Sequence, residues 1–222
     1  AIEAAFSRMN RLEQIFSRFI PGSQVSILNR TGSLTGAAPD LCRVIERAVE
    51  CSESTRGAFD ITIEPVLAVY REAAQQGRLP EQSVVRERQT LVNYRYLQQQ
   101  GDTINLRRQG MAVTLDGLAK GYVLDAGADE LLRHGLADVL VEAGGDLMAR
   151  GMTANGGWRI GIQAPRKAIG ELLGMVQVEN AALATSGDYL NHFGGDYTQH
   201  HILDPMTGVS PAELSSVSVL AP

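Results

Sequence analysis

Thr114-Leu115-Asp116-Gly117-Leu118-Ala119-Lys120-Gly121-Tyr122 divides the chain into two halves of different periodicity. The stretch reads as the end of a strand, a glycine-punctuated loop and the start of a helix. Upstream, helical spacing dominates. Ile2, Phe6, Met9, Leu12, Ile15 and Phe16 predict a helix to about Phe19, closed by Pro21-Gly22-Ser23. Residues 25–29 form a short polar-capped segment and residues 31–39 a loop. Asp40 is placed to cap a second helix carrying Leu41, Val44, Ile45, Ala48 and Val49, which Gly57-Ala58-Phe59-Asp60 ends. A third follows Pro65 and stops at Gly77.

From about Tyr94 to Leu115 the residues alternate as strands do, with turn signals at Gly101-Asp102 and Gln109-Gly110. Beyond the dividing stretch, Val123, Leu124, Ala128, Leu131 and Leu132 predict a helix whose C′ glycine is Gly135. Strands are then predicted at residues 138–142, 158–163, 175–178, 182–185 and 217–222, with Gly144-Gly145-Asp146 as a tight turn. The layout is α+β: a helix-rich first half packed on a strand-rich second half with mixed or antiparallel sheets. The 222 residues are read as a single domain over residues 1–222. The absence of an initiating Met and the strand reaching Pro222 predict truncation at both ends.

Composition is that of a globular chain, 44% hydrophobic and 20% charged. A formal net charge of −5 without a basic cluster argues against nucleic acid as a partner and leaves small ligands. Cys42 and Cys51 lie nine positions apart on one predicted helix and point to opposite faces, which argues against a disulfide.

Four strings carry chemistry. In the dividing stretch, amides at a helix start and the Lys120 ammonium can meet a phosphate, though a plain turn explains the string as well. Glu142-Ala143-Gly144-Gly145-Asp146-Leu147 allows close backbone approach to a ligand, or is only a turn. Ala184-Thr185-Ser186-Gly187-Asp188-Tyr189 ends a strand in hydroxyls that donate to phosphate oxygens or cap the next turn. His200-His201-Ile202-Leu203-Asp204-Pro205-Met206-Thr207-Gly208 is the most informative, because a histidine titrates near neutrality and His201 can move a proton. No zinc-type spacing accompanies it.

In this order, and with Gly57-Ala58-Phe59-Asp60-Ile61-Thr62 and Ser17-Arg18-Phe19-Ile20-Pro21-Gly22-Ser23 upstream, the strings resemble the ApbE family of FAD:protein FMN transferases over essentially the whole chain. The resemblance implies an enzyme that splits FAD at its pyrophosphate and passes FMN to a threonine or serine hydroxyl of a target flavoprotein. AMP leaves, and the reaction depends on Mg²⁺. Two alternatives are an FAD pyrophosphatase giving FMN and AMP, and a non-catalytic flavin-binding protein.

Residue by residue, the resemblance implies that Phe19 lines the isoalloxazine ring where a tyrosine is usual, and that Ala58, Phe59 and Asp60 contact the flavin. Thr114 stands where a nucleotide-binding aspartate is usual, with Asp116 nearby to compensate. Lys120 and Leu203 are implied FAD contacts, the Gly117 carbonyl a magnesium ligand, and His201 the proton-transfer residue. The resemblance also implies that this chain lacks the family's other magnesium ligands, which lie beyond the strand that here reaches Pro222, and its flavin-contacting N-terminal strand. The implied location is the bacterial periplasm or the periplasmic face of the inner membrane, with association through an upstream lipid anchor.

Overall fold

The computed structural model describes residues 1–168, 170–193 and 196–222. The chain forms two compact units. The larger comprises Glu13–Ala119 and Leu190–Ala212; the smaller comprises Ala1–Leu12, Lys120–Tyr189 and Glu213–Pro222.

The first helix, α1, spans Ile2–Phe16, three residues shorter than its spacing predicts. Ser23 and Ser26 hydroxyls both donate to the Ser17 carbonyl, at 2.5 and 3.4 Å, and this turns the chain away from the helix axis. The same Ser23 caps α2 (Gln24–Thr31) by accepting the Ser26 N–H, so the segment at residues 25–29 is a full helix. Gly32, at φ 75°, closes it in the left-handed conformation. Within the predicted loop lies β1 (Ser33–Leu34).

Helix α3 covers Pro39–Ser54 and buries Leu41, Val44, Ile45 and Ala48. Asp40 does not cap it. Ala38 is the capping position and Pro39 opens the helix, so Asp40 falls in the first turn and pairs with Arg43 at 2.7 Å. Cys42 and Cys51 are free thiols. Helix α4 spans Glu64–Gln75, and α5 spans Gln82–Gln89 where the sequence shows no clear apolar period.

Strands β2 (Leu97–Gln100) and β3 (Thr103–Leu106) form the hairpin expected at Gly101-Asp102, and β1 joins β3 to give the antiparallel order β1-β3-β2. The alternation that continues to Leu115 does not make a strand. Asn29 instead mimics a strand neighbour, its side chain accepting the Val113 N–H and donating to the Val113 carbonyl at 2.7 and 2.8 Å. Ile63, Val66, Leu67, Tyr70, Val85 and Leu203 form a core cluster of this unit.

The smaller unit takes up α6 (Ala119–Arg133) from Lys120 onward, ended by Gly135 at φ 84° as predicted. Strands β4 (Val139–Ala143) and β5 (Asp146–Arg150) flank the Gly144-Gly145 turn. Strands β6 (Trp158–Gln163) and β7 (Leu172–Val178) pair as a separate ribbon. Strands β8 (Ala181–Gly187) and β9 (Ser216–Ala221) complete a four-stranded antiparallel sheet in the order β4-β5-β8-β9. One side of β4 and β5 packs Val139 and Met148 against Leu124 and Ala128 of α6. Leu147, Ala149, Val178 and Leu183 make a second cluster. Every named strand pair in the chain is antiparallel, and the class is α+β as predicted.

Candidate functional site

In the larger unit the candidate residues surround three loops. Asp60 is buried and both of its carboxylate oxygens accept hydrogen bonds. One oxygen accepts the Thr62 N–H and hydroxyl at 2.8 and 2.7 Å, and the other accepts the Tyr94 N–H at 2.8 Å. It therefore caps the single 3₁₀ turn at Ile61–Ile63 and ties it to Tyr94. Ala58 is exposed and Phe59 half-buried beside it.

The Thr114–Gly117 loop crosses this segment. The Thr114 N–H donates to the Ile61 carbonyl at 2.8 Å, and its hydroxyl accepts the Asp116 N–H at 3.2 Å. Thr114 is buried, so it builds the loop. A Cβ at Gly117 would lie 3.0 Å from Phe59 Cε2, so glycine here permits the loop to rest on the aromatic ring. Asp116 receives Arg18 at 3.0 Å, and the Arg18 guanidinium carbon lies 4.1 Å from the ring centroid of Phe19, a residue 74% exposed.

Beneath this pair lies Glu64. One of its carboxylate oxygens pairs with Arg71; the other has no hydrogen-bond partner among the described residues. Burial pushes the Glu64 carboxyl above the usual range, the Arg71 hydrogen bond and charge and the Arg18 charge pull it down, and Asp116 adds to the rise.

The third loop separates the adjacent histidines by role. His200 is 2% exposed; its Nε2–H donates to the Pro211 carbonyl at 2.9 Å, and its backbone exchanges hydrogen bonds with the Ser210 hydroxyl. It holds the fold. His201 is partly exposed, and the Asn191 carbonyl accepts from both its backbone N–H and its Nδ1, at 3.0 and 3.1 Å. A carbonyl only accepts, so Nδ1 carries the proton and Nε2 is the basic nitrogen. The following Asp204-Pro205-Met206-Thr207-Gly208 turn fixes this arrangement. Asp204 accepts from the Met206 N–H at 2.8 Å, Tyr70 donates its hydroxyl to the Gly208 carbonyl at 3.1 Å, and Leu203 is buried in the core cluster.

The smaller unit joins three of the predicted strings. The Lys120 ammonium lies 2.6 Å from an Asp146 carboxylate oxygen and 3.3 Å from the Gly144 carbonyl. The other Asp146 oxygen accepts the Thr185 N–H at 3.0 Å, and the Thr185 hydroxyl meets that of Ser218 at 2.8 Å. Glu142 closes the glycine turn by accepting the Gly145 N–H at 2.7 Å. Lys120 is thus a held cation with half its surface open, and the turn that holds it places Gly144 and Gly145 at φ 57° and 90°. Among the described residues no group of three or more His, Cys, Asp or Glu is arranged to hold a metal ion.

The model of the ApbE family matches residues 1–222. The chain belongs to the ApbE family. The FAD:protein FMN transferase of Vibrio cholerae is 28% identical over 206 residues, which cover 89% of this chain and 62% of that protein. That of Treponema pallidum is 26% identical over 245 residues, covering 100% and 67%. The chain therefore spans roughly two thirds of the length of these relatives. Among solved structures, the ApbE protein of Thermotoga maritima superposes with a TM-score of 0.90 at 29% identity, covering 99% of this chain and 72% of that one. The flavin transferase ApbE of Vibrio cholerae gives 0.82 at 25% identity, covering 99% and 74%.

Within this ApbE-family fold, the larger unit holds Phe19, Ala58, Phe59, Asp60, Thr114, Gly117, His201 and Leu203, and the smaller holds Lys120. Three partners escaped the sequence reading of site roles. Arg18 and Asp146 stood inside quoted strings with no role assigned, and their charge was the available signal. Asn191 acts through its backbone carbonyl, for which a sequence carries no signal.

Proposed function

We propose that this chain is the flavin-binding and transfer core of an FAD:protein FMN transferase. In this reading the FMN phosphorus passes from the pyrophosphate oxygen of FAD to a threonine or serine hydroxyl of a target flavoprotein, and AMP leaves. The observation that carries the proposal is the family match over residues 1–222, with relatives named for this activity aligned over most of the chain.

Residue chemistry supports particular roles. His201 Nε2 is the basic nitrogen that takes the proton of the attacking hydroxyl, and the Asn191 carbonyl fixes the tautomer that makes it so. Lys120 neutralises developing phosphate charge, exchanging part of its contact with Asp146 for phosphate oxygen. Phe19 and Phe59 give apolar surface to the ring. Asp60 and Thr114 support the loop backbones they fix: the Asp60 carboxylate accepts three hydrogen bonds from Thr62 and Tyr94, and Thr114 is buried. Leu203, also buried, supports the His201 loop from the core.

The described residues do not form a cage for Mg²⁺ on their own. When bound, Mg²⁺ would neutralise charge on the FAD pyrophosphate, and the Gly117 carbonyl is the ligand this chain would supply. In the same reading the protein works in the bacterial periplasm or at the periplasmic face of the inner membrane.

The test is incubation with FAD, Mg²⁺ and an acceptor peptide bearing a threonine, read by mass spectrometry for the FMN adduct and by chromatography for AMP. An EDTA-sensitive adduct with equimolar AMP is expected. FMN and AMP without adduct would replace the transferase reading by a pyrophosphatase, and intact FAD that nonetheless binds would replace it by a binding protein.

A further inference from the structure

Phe19 sits on a fixed turn, but the residue is 74% exposed. Its N–H donates to the Ser17 hydroxyl at 3.2 Å, and the Ser17 carbonyl is held by the buried cap residue Ser23. The backbone is therefore set while an exposed phenylalanine would ordinarily exchange rotamers in solvent. What restrains it is Arg18, whose guanidinium carbon lies 4.1 Å from the ring centroid, within cation–π range.

Arg18 is itself restrained. Its Nε donates to one oxygen of Asp116 at 3.0 Å and its Nη2 lies 3.0 Å from the same oxygen, and its side chain is only 16% exposed against 54% for Asp116. A guanidinium that loses its water in this way needs a carboxylate to keep it in place. Asp116 is thus the outer end of a chain of contacts that finishes on the exposed ring. The next residue, Gly117, rests on Phe59, where a Cβ would stand 3.0 Å from the ring. One dipeptide, Asp116-Gly117, braces both aromatics to which the transferase reading assigns the ring.

We propose that Asp116 is a positioning residue for the flat ring of the substrate: through Arg18 it holds Phe19 as a stacking platform. The proposal rests on the flavin-binding reading above and adds to it two residues, Arg18 and Asp116, that do not touch the ligand. It also gives the acidic residue a role different from replacing the nucleotide-binding aspartate absent at Thr114. One oxygen of its carboxylate is committed to Arg18.

A ring subsite discriminates by the ring. Riboflavin, which carries the isoalloxazine without phosphate, is therefore the probe, titrated by quenching of its fluorescence and alongside FAD. Asp116→Ala is expected to weaken both ligands about 3- to 10-fold, the scale of ordering one side chain on binding. Asp116→Asn, which keeps an oxygen acceptor for Arg18, is expected to recover part of that loss. In a Phe19→Ala background, Asp116→Ala is expected to add nothing, because the residue acts only through the ring. Circular dichroism and thermal melting check that each variant is folded.

Unchanged binding in Asp116→Ala, or a loss that persists in the Phe19→Ala background, overturns the positioning role while leaving the flavin reading intact. Failure of the wild-type chain to bind either FAD or riboflavin overturns the flavin reading, and the positioning role with it.

Discussion

Asp60 in the larger unit and Asp146 in the smaller are both aspartates at the end of a glycine-containing loop, and each uses both carboxylate oxygens. Asp60 gives them to two backbone N–H groups and a hydroxyl, all neutral and all part of the fold. Asp146 gives one to the Thr185 N–H and the other to the Lys120 ammonium. The first arrangement uses the carboxylate to fix a backbone. The second fixes a backbone with one oxygen and holds a partly exposed cation on the other, where, in the proposed function, an incoming phosphate can share it. In the proposed function the larger unit's chemistry sits elsewhere, on His201 Nε2, whose ring is aimed by a carbonyl on its other side.

If that division is right, variants should separate activity from stability. His201→Ala is expected to give the largest effect, lowering FMN transfer about 10²- to 10⁴-fold as loss of a general base does. Its urea midpoint should stay near wild type, because His200, not His201, is buried in the fold. A slow variant that is also unfolded would break the assignment. Asp60→Ala should do the reverse. It strands two buried N–H groups and should cost about 2–4 kcal/mol of stability in urea denaturation. Asp60→Asn should recover part of this, since one amide oxygen still accepts. A stable Asp60→Ala that loses only FAD binding would mean that the carboxylate serves the ligand directly.

The contrast between these residues also explains what the sequence made legible. Apolar spacing located α1, α3, α4 and α6 and most strands of the smaller unit, because burying one face imposes a period on the residues themselves. It failed where side chains substitute for secondary structure. Asn29 satisfies Val113 as a neighbouring strand would, so residues near Val113 carry a strand-like pattern without forming one. Helix α5 is mostly polar, burying only Val85, and leaves no stripe to read. The site was legible as strings, since glycines, histidines and carboxylates stand out. Their partners were not. Arg18 with Asp116 lie 98 positions apart, and Asp146 with Thr185 lie 39 apart, distances that only the fold closes.

Lys120 tests the other side of the comparison. Lys120→Met keeps much of the side-chain bulk and removes the cation. It is expected to reduce transfer about 10- to 100-fold, within or below the range for losing one preorganised donor. Stability should change by no more than about 1 kcal/mol, since the Lys120 end of the pair is 42% exposed and screened by water. Equal losses in activity and stability would show that the pair serves the fold, as Asp60 does.

The smallest effect concerns Glu64, which matches neither aspartate: one oxygen meets Arg71, and the other is buried without a hydrogen bond among the described residues. Burial outweighs the arginine, so the folded carboxyl has a higher pKa than the unfolded one. Between those two values the folded state binds more protons than the unfolded state. The Glu64 contribution is therefore most favourable below the ordinary glutamate pKa. It falls as pH rises through the window up to the folded value, and is level above it. Urea denaturation across mildly acidic pH should show this decline, and Glu64→Gln should flatten it. A slope unchanged in Glu64→Gln would mean that Arg71, with Arg18, compensates the buried charge in full, and that this acid, like Asp60, is satisfied by the fold around it.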